Sequence, residues 1–166
     1  GYKNLLKIIS IAQLEGFYYK ARTDKALLRQ YSEGLIALSG SLQGEVPSEL
    51  IYGDYDRAKL AALEYQNIFG VDNFYLEIQP HFSHETHATV NQGLIALSRE
   101  TGIPLVAAND VHYVRREDAA IQDTLLCIRD NKRVDDRDRF SMMSLDLSLK
   151  SSEEMAETFK DFTDAI

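Results

Sequence analysis

The strongest constraint on this chain is an alternation. Three short apolar runs, "GLIALSG" (34–40), "NFYLEIQ" (73–79) and "PLVAAN" (104–109), are separated by longer stretches whose apolar residues recur three or four positions apart. Short runs bounded by glycine, proline or asparagine suit strands, and the wider spacing suits amphipathic helices. A helix is expected over the opening residues, where Leu5, Leu6, Ile8, Ile9 and Ala12 share that spacing. A second is expected over Lys25–Tyr31 behind a cap at Asp24, a third from Pro47, and a fourth between a cap at Asp54 and Gly70. A long helix should run from a cap at Ser83 to Gly102. "REDAAIQDTLLCIRD" (116–130) is another, and Ser151 or Ser152, with Glu153 or Glu154 close behind, starts the last. "LDLSLK" (145–150) reads as a short edge strand. The order predicts an α/β fold of alternating βα units with parallel strands.

The hexamer "GLIALS" shows that context, not composition, decides. It occurs at 34–39, where glycines flank it and a buried strand is expected. It recurs at 93–98, where it continues the helical period of "HATVNQGLIALSRETG". The flanks differ, so there is no internal repeat. A chain of 166 residues is long enough for one domain with a sizeable core.

Parallel βα units place ligand-facing residues at the carboxyl ends of their strands. Three such ends are legible: Ser39, Gly40 and Ser41; Gln79, Pro80 and His81; Asn109, Asp110 and His112. In extended backbone, residues two apart project to one side, so Asp110 and His112 point together. A carboxylate beside an imidazole suits zinc, manganese or iron, and it also suits acid–base chemistry near neutral pH. The plainer alternative is that Asp110 caps the next helix and His112 packs beside Tyr113. A metal needs three or four donors. His81 is a candidate, and Glu77 shares the alternating side of Gln79 and His81. His84 and His87 read as exposed helix histidines. Phosphate-loop, metalloprotease, nucleophile-elbow and dinucleotide motifs are all absent.

Charge narrows the partners. The net charge is −8 with a pI near 5.0, and no block of Lys and Arg exists. The isolated chain should therefore bind DNA poorly. Lys20 and Arg22 beside Tyr18 and Tyr19 are the candidate nucleic-acid contacts, by stacking and phosphate binding. A packed aromatic pair with a solvated loop is the simpler reading. The single Cys127 excludes an internal disulfide and reads as a buried structural thiol, in keeping with a reducing cytoplasm. No apolar run is long enough to span a membrane, and the start lacks a secretory pattern. Gly1 in place of Met suggests a processed end or a piece of a longer chain.

Several phrases together carry a resemblance. "EGFYYKARTDKALL", "SEGLIALSGSLQGEVP", "NFYLEIQPH", "GLIALSRETGIPLVAANDVHYVRREDAAIQDTLLCIRDNK" and "LSLKSSEEMAETF" follow one another in the order and spacing of one family. The chain resembles, over essentially all its length, the PHP (polymerase and histidinol phosphatase) domain of the bacterial replicative DNA polymerase III alpha subunit. "NDVHY" followed by "DTLLCI" is the most specific part. The resemblance implies a distorted (β/α)7 barrel, of which this chain is the carboxyl-terminal portion at 1–129. Residues 130–166 would be a charged loop and connection towards the polymerase body. It implies Asp110 and His112 as late ligands of a zinc or manganese cluster, with the family's earlier ligands upstream of Gly1. The family's Cys ligand falls on Ser41, which suggests a degenerate site. "FYYKPRID" in the family reads "FYYKARTD" here, with Arg22 keeping its place. The implied parent extends DNA with magnesium, through carboxylates in another domain, so this piece should not polymerise. Two roles follow from the family: a structural platform that docks a separate proofreading exonuclease, favoured by Ser41, or a metal-dependent 3′–5′ exonuclease. A free-standing phosphoesterase fits the phrases less well.

Overall fold

The computed structural model describes residues 1–81 and 84–165. Side-chain capping sets three of its α-helix starts. After α1 (Tyr2–Leu14), Asp24 accepts a hydrogen bond from Leu27 N at 2.8 Å and opens α2 (Lys25–Tyr31). Asp54 accepts from Arg57 N at 3.0 Å and opens α4 (Tyr55–Phe69). Each carboxylate satisfies a first-turn N–H that has no partner within its helix. The intervening α3 (Glu45–Ile51) begins two residues before the expected Pro47. Proline is tolerated there because first-turn N–H groups are unpaired in any case. The long helix α5 (Glu85–Thr101) ends at Gly102 with φ of 74°, the left-handed conformation expected of a terminating glycine. Ser83, the expected cap of α5, lies outside the described residues; His84 stands at the cap position without a side-chain capping bond. The predicted helix at 116–130 is a 3-10 turn (Arg116–Asp118) leading into α6 (Ala119–Asp130), where Cys127 is buried as expected. Ser151 and Glu154 form a reciprocal capping box at the start of α7 (Ser152–Thr158).

Three parallel strands form one sheet in the order β1 (Ala37–Leu38), β2 (Phe74–Ile78), β3 (Leu105–Ala107). Ala37 lies opposite Phe74, and Ile78 opposite Ala107. The alternation of β2 drives Phe74, Leu76 and Ile78 into the core, where Ala58, Ala62, Leu94 and Leu97 of α4 and α5 meet them. Tyr75 and Glu77 face the other way and are half-buried.

Two strand expectations need correcting. The run at 34–40 is not a buried strand: only two residues pair, Ile36 is 68% exposed and Leu38 43%. An edge strand has one neighbour, and apolar composition does not separate edge from centre. In α1 only Ile8 and Ala12 are buried; Leu5, Leu6 and Ile9 stay at least 40% exposed. The expected edge strand at 145–150 amounts to a single parallel bridge between Tyr113 and Ser148. Among the described residues, no helix is long and apolar enough to cross a membrane.

The charged loop after α6 is tethered. Asp123, buried on α6, takes two hydrogen bonds from the Arg139 guanidinium, both at 2.7 Å, and a third from Ser141 Oγ at 2.7 Å. Bidentate pairing of this kind fixes geometry as well as energy. Trypsin should cut Asp123→Ala at Lys132, Arg133 or Arg137 faster than it cuts the wild type. An unchanged cleavage rate would show that the pair does not hold the loop.

Candidate functional site

Parallel register carries the three strand ends to one edge of the sheet. There they line a cleft of about 430 Å³ that includes Ser41, Gln79, His81, His84, His87 and Asp110. Residues 140–147 of the tethered loop close its other side.

Its floor is built by hydrogen bonds between strand ends. Ser39 Oγ accepts from Glu77 N at 2.9 Å, joining β1 to β2. Ser41 Oγ donates to Gln79 Oε1 at 3.3 Å, and Gln79 Nε2 donates to Glu77 Oε1 at 2.9 Å. Asn91 of α5 clamps the end of β2: its Oδ1 accepts from Gln79 N at 3.3 Å and its Nδ2 donates to Gln79 O at 2.8 Å. Ser41 thus takes part in a polar chain that runs through Gln79 to the Glu77 carboxylate. Glu77 and Gln79 share a side, as the alternation predicts.

Asp110 and His112 do point together. His112 Nε2 is 3.2 Å from Asp110 Oδ2, and its Nδ1 is 3.4 Å from Gln122 Nε2. An amide nitrogen can only donate, so Nδ1 accepts and the proton on Nε2 faces Asp110. The backbone is fixed too, since His112 N donates to Leu147 O at 2.9 Å. Asp110 lines the cleft; His112 does not. Asp110 therefore holds an imidazole rather than capping a helix. Among the described residues, no three His, Cys, Asp or Glu side chains are placed to hold one metal ion. Only Asp110 of the pair lines the cleft, so the two residues carried over from the family do not by themselves fit a metal centre there.

The histidines hold the main surprise. His84 is exposed as expected, but His87 is buried, with its ring 4.9 Å from that of buried His81 and 5.0 Å from that of His84. Burial, together with the neighbouring His81 and His84 rings, pushes the His87 imidazole down to about 4. Burial lowers His81 as well, against the opposing pull of Asp110. His81 Nε2 is buried without a hydrogen-bond partner. The signal for His87 was present in the sequence. His87, Val90, Leu94 and Leu97 follow the helical period and form one inward stripe.

Lys20 and Arg22 lie elsewhere. They sit on an exposed loop where Tyr18 and Tyr19 meet edge to face at 4.7 Å and the Arg22 guanidinium lies 5.5 Å from the Tyr18 ring centre. Tyr18 is 65% and Tyr19 82% exposed, so the pair is not packed into the core. Arg22 lines a separate cavity of about 500 Å³ between α1 and α2, which contains no histidine or cysteine.

Comparison with known proteins adds a relationship to this geometry. Residues 1–81 match the PHP domain family. The whole chain aligns at 46% identity with the DNA polymerase III subunit alpha of Borreliella burgdorferi and at 43% with that of Treponema pallidum, covering 14% of each relative. The corresponding protein of Thermus aquaticus is 43% identical over 155 residues, 93% of this chain and 12% of the relative. The chain therefore spans about one seventh of the length of the first two curated relatives.

Proposed function

This chain is a homologue of one segment of bacterial DNA polymerase III alpha subunits, PHP-domain sequence included, and on that premise we propose that it serves chromosomal replication as a structural part of such a subunit. Residues 1–129 would be the carboxyl-terminal portion of a PHP domain, its three parallel strands one sector of a (β/α)7 barrel. Residues 130–166 would run on towards the polymerase body. The partners are the rest of the alpha subunit and a separate proofreading exonuclease, in the cytoplasm, with DNA reached through the parent protein. The observation that carries the platform role is the cleft at the strand ends. Ser41 there, at the position of the family's Cys ligand, hydrogen-bonds Gln79.

A second reading is a metal-dependent 3′–5′ exonuclease in which Asp110 and His112 hold part of a zinc or manganese centre. The position of Asp110 at the cleft favours it. Bound metal would activate water for attack on a phosphodiester. Two assays separate the readings. On the platform reading, the purified chain co-elutes with the proofreading exonuclease of its source and leaves 3′-labelled DNA uncut in manganese or zinc. Cleavage that Asp110→Ala abolishes would favour the nuclease, and failure to co-elute would remove the docking role.

A further inference from the structure

We propose that His84 and His87 form a two-imidazole chelate for a divalent transition metal, zinc in the first instance, distinct from the Asp110–His112 pair. Their Nδ1 atoms are 3.3 Å apart. Two imidazole nitrogens bound to one tetrahedral zinc at about 2.0–2.1 Å lie roughly 3.3–3.4 Å from each other. The cap position and third residue of α5 thus already present the right bite, on one helix face. Without an ion, one Nδ1 must carry a proton to bond the other. With an ion, both lone pairs face the metal and the protons sit on Nε2.

A second observation points to a ligand at the same place. His81 lines the cleft with them, is only 6% exposed, and keeps its buried Nε2 without any hydrogen-bond partner. Buried polar atoms are rarely left so. Its ring lies 4.9 Å from that of His87, so the ion would sit beside a third nitrogen-bearing ring. The positive end of α5 opposes a cation, and Glu85 in the first turn and Asp110 across the cleft offset it. Water would complete the coordination shell. Imidazole donors suit zinc, copper and nickel over magnesium or calcium.

This chelate does not rest on the replication reading and can fail without it. The test is calorimetric titration of the whole chain with zinc chloride near pH 7.5, with cobalt(II) absorption as a reporter of tetrahedral nitrogen ligation. His84 is exposed, so His84→Ala should fold; His112→Ala is the control. The expected result is zinc binding that His84→Ala weakens by about tenfold or more and His112→Ala leaves unchanged. No zinc binding by the wild type would overturn the proposal. So would a loss on His112→Ala as large as that on His84→Ala.

Discussion

Replacing Phe159 with alanine is expected to lower the unfolding free energy by about 3–5 kcal/mol, the usual cost of emptying a fully buried aromatic site. Phe159 is 0% exposed and belongs to the same core as Phe74, Leu76, Leu94 and Ile103. It follows α7 directly, its N–H bonding Met155 O, and the next turn closes on it through Phe162 N donating to Phe159 O at 2.7 Å. The carboxyl-terminal segment is thereby pegged into the core. A loss of that size is a large share of the roughly 5–15 kcal/mol by which domains are stable. Urea denaturation read by far-UV circular dichroism would measure it, with an unchanged slope indicating a simple stability change. A loss below about 1 kcal/mol would mean that residues 152–165 do not complete the core in solution.

Acid should destabilise the chain earlier than carboxylate chemistry alone would allow. His87 has an ordinary value of 6.5 when unfolded and about 4 when folded. The unfolded chain therefore binds more protons between pH 6.5 and 4, and stability falls as pH drops through that window. Above it the contribution is complete, and below it nothing further is lost from this group. The shift corresponds to roughly 3 kcal/mol. His81, lowered by burial, acts in the same direction, opposed by Asp110, while His84 works with it. Asp146 is held at about 2 against an ordinary 3.8, by Lys150 and Ser148 overcoming the effect of burial, so its contribution is lost only at lower pH. Urea midpoints in metal-free buffer at pH 7, 5.5 and 4.5 would trace the histidine part. His87→Gln should flatten it. A wild-type midpoint constant from pH 7 to 4.5 would contradict a buried neutral His87.

What was legible in the sequence was legible for local reasons. Asp24, Asp54 and Ser151 were readable as caps because a cap bonds an N–H only three residues away. The same holds for Asp110 and His112, whose shared direction follows from extended backbone alone. The parallel α/β order was readable because strand and helix periods differ, and the phrases around "NDVHY" carried the relationship to the polymerase segment. What the sequence left open depends on neighbours distant along the chain. Whether "GLIALSG" is an edge or a centre depends on which strands pair with it and what covers them. Whether His87 meets His81 depends on where α5 lies against the end of β2. That the residue at 41 bonds Gln79, that Arg139 reaches back to Asp123, and that Phe159 closes the core are contacts across 16 or more residues. Local sequence determined the elements and the direction of their side chains; packing between elements decided which histidines became a cluster, because burial is a property of the assembled surface and not of any one segment.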